Sequence, residues 1–504
     1  MTSGAAQLKW IALALGPLLG VVVYLMLPEA RLDADGAVAG GLTPGARGTA
    51  GVATVMAVWW LTEAIPLSAT ALLPIALLPL VGAVSIKDAT APYANATIFL
   101  FLGGFILGLG MQKWGLHRRI ALITISVVGS GPKRVIAGFM IAAALMSMFV
   151  SNTATAVMML PIGVSVIDLV HRRLGDDAGV MAPNFDTCLL LGIAYACSIG
   201  GIGTIIGTPP NIALVAFVKD HYGIEISFVG WLKIGIPLVC IFLPIAWVYL
   251  TSIAYPVRIS HIPGGRDLIR GELESLGRMK RGEWVVFIVF VITAILWITR
   301  PWLVSFGEEH ELSALASLSD AGIAVGAAIA LFLIPVSPRE RIFAMDWETA
   351  TQLPWGILLL FGGGLSLAGA ISGTGLDAFL GSGFESLKGV PVVVLIAAVA
   401  TLVIFLTEMT SNTAVTNTLL PVLAAAAIGL GVPPAMLLVP MALAASCAFM
   451  LPVATPPNAI VFGAGHVTLP QMVKAGFWLN LVGIVIVTLL GTTLVPIVAA
   501  GVAR

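Results

Sequence analysis

The chain has 504 residues, 59% of them hydrophobic and only 10% charged, with a mean hydropathy of +1.05. A soluble globular domain carries about 25% charged residues, so the composition excludes an ordinary cytosolic enzyme. A formal net charge of zero argues against nucleic-acid binding.

Hydrophobic runs recur from end to end, which marks a polytopic membrane protein rather than an anchored soluble domain. The first run, 8–27, follows the weakly basic start "MTSGAAQLKW" and has no small-residue cleavage site after Leu27. It reads as a membrane helix and not as a signal peptide. Further apolar segments lie at 51–82, 97–112, 135–170, 186–218, 231–255, 284–299, 321–335, 353–372, 390–430, 435–464 and 471–503. A helical span needs roughly 20 residues to cross about 30 Å of hydrocarbon. The segment 51–82 is therefore predicted to be two short helices broken near Glu63 and Pro66. The longest polar stretch, Arg258 to Glu283, is expected to form an amphipathic surface helix or loop. Cys188, Cys197, Cys240 and Cys447 sit in apolar runs without CxxC spacing, which predicts buried thiols with no disulfide framework and no metal site.

Charge placement gives orientation. Lys113, His117, Arg118, Arg119, Lys133 and Arg134 form one basic cluster, and His171, Arg172 and Arg173 another. Both are expected on the cytoplasmic side, as are the cluster Arg258, Arg266, Arg270, Arg278, Lys280, Arg281 and the pair Arg339, Arg341. The acidic stretch "FGEEHELSALASLSD" is expected to be an external loop.

Within the segment 135–170 stands "SNTATAVMMLP", which begins at Ser151. The run from Val135 to Val150 is 16 residues, about 24 Å as a helix, and Ala154 to Val170 is similar. Both flanks are basic, so both ends face the same side. Two full helices joined by a tight turn would fit, and so would a re-entrant hairpin whose tip stops inside the membrane. Non-helical backbone at that depth needs protein or a water-filled cavity around it.

An internal repeat favours the hairpin. "FLGGFILGLGMQKWGL" at 101 resembles "FGGGLSLAGAISGTGL" at 361, an offset of 260 that also relates Ser151 to Ser411 and Pro161 to Pro421. "GTPPNIALV" at 207 and "ATPPNAIVF" at 454 form a further pair, offset by 247. Five crossings are predicted between the two SNT segments, at 186–218, 231–255, 284–299, 321–335 and 353–372. Five is odd, so the second hairpin enters from the opposite side. Two inverted repeats with a polar break at corresponding positions are the pattern of a secondary transporter with its site at the repeat interface.

Hydroxyls, the Asn carbonyl and unwound backbone carbonyls are hard oxygen donors suited to an alkali cation. Calcium or magnesium would want carboxylates, and neither motif holds one. Two consecutive prolines break the helix and expose the N-terminus of the next half-helix. With Asn and Thr side-chain donors, that terminus can receive carboxylate oxygens. Neither motif holds Arg or Lys, so co-bound cations and helix dipoles would neutralise a dianion.

The stretches "WWLTEAIPLSATALLPIALLPLVG", "SNTATAVMMLPIG", "GTPPNIAL", "TEMTSNTAVTNTLLPV" and "FMLPVATPPNAIVFG" resemble the divalent anion/sodium symporter family over nearly the whole length. Its members move dicarboxylates such as succinate and malate, or citrate or sulfate. The resemblance implies an all-α polytopic membrane protein of about 11 transmembrane helices plus two re-entrant hairpins in two inverted-topology repeats. It further implies an elevator-type homodimer in the bacterial inner membrane that uses no cofactor beyond its coupling sodium ions. A scaffold would come from 1–128 and 257–390, and a moving transport domain from 129–256 and 391–504. By motif position, one sodium would use Ser147, Ser151, Asn152 and Gly207, and the other Thr407, Thr410, Asn412 and Ala454. Substrate carboxylates would meet Asn152, Thr153, Pro210, Asn412, Thr413 and Pro457.

Other features are weaker. Glu63 and Glu408 lie in apolar segments, where ionised groups are costly. Proton coupling is one reading of them, and local hydrogen bonding near helix ends is the favoured one. The Gly runs at 103–104 and 362–364 are expected to allow close helix packing. "GSGPKR" lacks phosphate-loop spacing. An anion exchanger of the same fold could replace sodium with a cationic side chain at a cation site, and the motifs hold none. An intramembrane enzyme would need a nucleophile–base or metal constellation, which is not seen, and a channel would not need inverted hairpins around a closed midplane site. Succinate, malate, fumarate, citrate and sulfate are not separable by this hydroxyl, amide and dipole set.

Overall fold

In hydrocarbon each backbone N–H and C=O must be satisfied within its own segment, so the apolar runs fold as helices. The computed structural model describes residues 3–32, 38–129, 131–174, 183–259 and 265–502. The only sheets among them are two small ribbons, Arg31–Leu32 with Val38–Gly40 and Pro335–Ser337 with Ile342–Phe343. Among the described residues, 8 helices are long and apolar enough to cross a membrane. Shorter apolar helices cover Leu67–Leu80, Asp320–Leu333, Val392–Thr407 and Ala435–Ala445.

Local chemistry sets the breaks. The helix Pro44–Thr62 begins with a proline after Thr43, whose hydroxyl accepts from the Ala46 N–H at 3.2 Å. It ends at Glu63, held in the left-handed region at φ 48°, and Pro66 precedes the next turn, so the expected break is there. Glu63 is exposed at this helix end, and no ion pair among the described residues includes it. The SNT segments fold as Pro132–Ser147 then Asn152–Leu174, and as Val392–Thr407 then Asn412–Leu430. The TPPN segments are split into Pro183–Gly201 then Pro209–Tyr222, and Ala435–Ala445 then Pro456–Gly463.

Two expectations are corrected. The helix expected at 284–299 runs from Arg281 to Glu309 and takes in part of the acidic stretch assigned to a loop. Between Arg300 and Phe306 only Pro301 opposes a helix, and one proline removes a single donor. Within the basic cluster Arg119 is only 8% exposed, and its Nε lies 2.8 Å from Glu283 Oε1. Cys240 is exposed on the helix Phe228–Val248, while Cys188, Cys197 and Cys447 are buried as expected. Arg258 to Glu283 contains the surface helix Gly265–Ser275.

The duplication survives in the backbone. Gly115 has φ 75°, ψ 10° and Gly375 has φ 74°, ψ 13°, both starting a helix in the left-handed region that glycine tolerates. Thr208 has φ −146°, ψ 144° and Thr455 φ −141°, ψ 148° ahead of the paired prolines. Of the Gly runs, Gly103 lies against Ala324 and Gly363 against Ala71, the close packing expected of them.

Candidate functional site

At the first tip the helix Pro132–Ser147 stops and restarts at Asn152. Ser147 is fully buried and its hydroxyl donates to Oδ1 of Asn152 in a very short hydrogen bond. Ser151 Oγ accepts from the Ala154 N–H at 3.3 Å, and both Ser151 and Thr153 are exposed. Facing the tip is the unwound stretch between Gly201 and Pro209. A Cβ on Gly201 would stand 2.7 Å from Asn152 Oδ1 and 3.2 Å from the carbonyl oxygen of Gly207. The structure thus gathers Ser147, Asn152 and Gly207 about Gly201.

The second tip repeats the plan with different bonds. Thr407 is buried and donates to the Ile404 carbonyl at 3.0 Å, while Thr410 donates to the Leu406 carbonyl at 2.8 Å. Asn412 Oδ1 is buried with no hydrogen-bond partner. An unpartnered buried oxygen is costly, and a cation beside it would remove that cost. Ala454 is 5% exposed at the end of the facing unwound stretch. Pro210 and Pro457 are buried at the second position of their half-helices, and Thr413 is half-buried.

The TPPN asparagines differ from expectation. Asn211 Nδ2 donates to the carbonyls of Gly201 at 3.2 Å, Ile202 at 3.4 Å and Thr204 at 2.8 Å. Asn458 Nδ2 donates to those of Ala448 at 3.5 Å and Leu451 at 3.1 Å. Both side chains are fully buried. Their amides satisfy carbonyls freed by unwinding inside an apolar bundle, so they pin the break and are not the carboxylate donors the sequence suggested. Thr455 likewise caps its half-helix, accepting from the Asn458 N–H at 3.3 Å.

Packing between the repeats is crossed. The half-helix Pro209–Tyr222 packs on the second hairpin arm Asn412–Leu430, and Pro456–Gly463 packs on the first arm Asn152–Leu174. Each half-helix therefore meets the hairpin of the other repeat, which puts both oxygen-rich breaks around one shared region.

Sequence reasoning missed the groups holding the second break. Glu408 Oε1 accepts from the N–H groups of Phe449 at 2.7 Å and Met450 at 2.9 Å and from Asn480 Nδ2 at 2.7 Å. Its Oε2 accepts from the Leu451 N–H at 2.9 Å. Glu408 is hydrogen-bonded as favoured, but not locally: its partners lie 41 to 72 residues away in sequence. Asn480, a lone amide in an apolar helix, was the available signal for its partner.

Spanning helices broken at two equivalent oxygen-rich positions define a multi-pass membrane transporter of all-α architecture. Residues 36–500 match the family described as the sodium:sulfate symporter transmembrane region, and the chain belongs to that family. It is 44% identical over 488 residues to the sodium-dependent dicarboxylate transporter SdcS of Staphylococcus saprophyticus, covering 96% of this chain and 91% of the relative. The SdcS protein of Staphylococcus aureus strain USA300 is 43% identical over 490 residues, covering 97% and 91%. Among solved structures, the Alcanivorax borkumensis YdaH transporter is similar at a TM-score of 0.55 and 15% identity, over 97% of each chain. Neisseria gonorrhoeae MtrF gives 0.55 at 13% identity, over 97% of this chain and 94% of its own. At such identities the likeness is one of fold. Family and apolar helices together make this a multi-pass protein of the cell membrane.

Proposed function

We propose that the protein is a sodium-coupled symporter of a divalent anion, a C4-dicarboxylate such as succinate, malate or fumarate. The crossed packing of each TPPN half-helix on the other repeat's hairpin carries this reading, since it encloses one region between two breaks rich in hydroxyl and carbonyl oxygen. The sodium-dependent dicarboxylate relatives support the same substrate class. One sodium is assigned to Ser147, Ser151, Asn152 and Gly207, and another to Thr407, Thr410, Asn412 and Ala454. The carboxylates are assigned to Asn152, Thr153 and Pro210 on one side and Asn412, Thr413 and Pro457 on the other.

The packing also supports the division into a scaffold (1–128, 257–390) and a moving domain (129–256, 391–504). Ala96–Lys113 packs on Asp320–Leu333 within the first group, and Pro132–Ser147 on Pro183–Gly201 within the second. On this reading the two repeats are inverted, the moving domain travels as an elevator, and two copies pair through their scaffolds. The protein is a carrier without catalytic chemistry, and its only other ligands are the coupling ions.

A dianion entering a partly desolvated site without basic side chains needs accompanying cations. Sodium therefore raises dicarboxylate affinity, and the dicarboxylate raises sodium affinity by the same factor. The test is uptake into proteoliposomes of labelled succinate, malate, fumarate, citrate and sulfate, with and without a sodium gradient, for the wild type, Asn152→Ala and Asn412→Ala. Expected are sigmoidal sodium activation for a C4-dicarboxylate and loss of uptake in both variants. Sodium-independent uptake driven by an outward dicarboxylate gradient would instead establish an exchanger.

A further inference from the structure

Met148 and Glu408 occupy the same place in the two repeats, each one residue beyond a hairpin's first arm. Their backbones match, at φ −65°, ψ −26° and φ −63°, ψ −29°. Their side chains do not. In the first repeat the link between tip and unwound stretch runs from the Thr204 hydroxyl to the Met148 carbonyl, with Trp231 Nε1 donating to the Ile202 carbonyl at 2.9 Å. In the second repeat the residue corresponding to Thr204 is Leu451, which has no hydroxyl to give. Its backbone N–H donates to Glu408 Oε2 instead, at 2.9 Å.

We infer that Glu408 is a positioning residue of the second cation site, which joins the hairpin tip carrying Thr407 and Thr410 to the unwound stretch ending at Ala454. This inference rests on the assignment of that site to sodium. Three successive N–H groups, from Phe449, Met450 and Leu451, converge on the one carboxylate, and Asn480 Nδ2 fills its remaining side. Asn480 Oδ1 also accepts from the Phe449 N–H at 3.2 Å, so the amide braces the same stretch twice. Glu408 is 2% exposed and Asn480 fully buried, so water does not compete for these bonds.

All of the partners are N–H donors, which is the pattern of an acceptor-only carboxylate. Both oxygens of Glu408 are engaged in it, so the residue acts on the ion through the backbone it holds and not as a ligand. It sets the separation between the hydroxyls of Thr407 and Thr410 and the Ala454 end of the stretch. Glu408→Gln keeps the shape but turns an amide NH2 toward at least one backbone N–H, most simply that of Leu451. A donor then faces a donor, and the stretch must shift.

The experiment measures sodium activation of dicarboxylate uptake in proteoliposomes made with the full chain. The sodium-dependent rise of Tm in detergent is followed in parallel. Glu408→Gln is expected to raise half-saturating sodium about tenfold, as for one lost hydrogen bond to a charged group, with maximal rate falling much less. Asn480→Ala should shift it the same way by less, and it decides the question if Glu408→Gln fails to fold. The Glu408→Gln shift should be non-additive with that of Thr407→Ala, in the same site, and multiply with that of Ser147→Ala, in the other. Unshifted sodium activation in a sodium-dependent protein, or equal multiplication with both partners, overturns this inference alone. A wild type without sodium dependence overturns the sodium assignment and this inference together.

Discussion

Asn152 and Gly201 meet edge to edge across the first break, where a Cβ on Gly201 would stand 2.7 Å from Oδ1 and 3.1 Å from Nδ2 of the amide. Real Cβ atoms do not tolerate the closer of these contacts, so Gly201→Ala displaces Asn152 or the stretch itself. The second repeat already carries Ala448 at the equivalent place and Ala454 opposite Gly207. Its break is therefore built to hold the methyl groups that the first excludes. Gly201→Ala should raise half-saturating sodium about tenfold, equivalent to about 1.4 kcal/mol, while Ala448→Gly should stay near the wild type. Sodium titration of uptake checks both, and a native curve for Gly201→Ala would remove Asn152 from the first site.

The asparagine pins give an ordered pair of effects. Asn211→Asp turns an acceptor toward three carbonyls, and Asn458→Asp turns one toward two. Each should lower stability by about 1–3 kcal/mol through buried groups left unpaired, and each should abolish uptake. The Asn211 variant should melt lower, having more carbonyls to leave unsatisfied. Tm values in detergent test the order, and the reverse order would mean that the pins act through something other than these carbonyls.

Away from the site, Arg119 and Glu283 make a buried two-pronged pair, with Nε to Oε1 at 2.8 Å and an Nη to Oε2 at 3.2 Å. Arg119 also donates to the Gly277 carbonyl at 2.9 Å, which ties the helix Leu116–Val128 to the loop ahead of Arg281. Arg119→Ala leaves a buried carboxylate without its counter-charge, held only by the Lys280 N–H at 2.7 Å, and should cost about 3–5 kcal/mol. The double variant Arg119→Met/Glu283→Met should recover most of it, because two apolar groups leave no charge to desolvate. Thermal melts of the single and double variants decide, and a double variant no better than the single would show that the carbonyl bond dominates.

Some of this architecture could be read from residues alone because the signal was doubled. "SNT" and "TPPN" each occur twice in matching order, and hydroxyl, amide and proline chemistry explains why a chain breaks there. The helix broken at Glu63 and Pro66 was legible for the same local reason. What escaped the sequence depends on where a side chain points. Asn211 and Asn458 look like ligands in a motif, yet their amides turn back on their own unwound backbone. Arg119 reads only as one member of a basic cluster until Glu283, distant in sequence, is placed beside it. The Glu408–Asn480 contact spans two helices and matches no repeat, since position 148 holds Met.

The two tips also differ in accessibility, which makes the inverted arrangement open to labelling. Ser151 and Thr153 are exposed and Ala154 half-buried, whereas Ala414 is fully buried in a cluster with Leu42, Ala46 and Met56 from the N-terminal segment. The first hairpin is flanked by Lys133, Arg134, Arg172 and Arg173, so its open end is expected at the cytoplasmic face. In a background freed of the native cysteines, the exposed Cys240 above all, Ala154→Cys should react with an impermeant maleimide from the cytoplasmic side. Ala414→Cys should stay silent in this arrangement. On the proposed elevator reading, the thiol at 414 opens only when the moving domain shifts, and then toward the opposite face. Sodium with dicarboxylate, which permits that shift, should therefore lower the rate at 154 and raise it at 414. Labelling of both thiols from one face, unchanged by sodium or substrate, would contradict both the inversion and the movement.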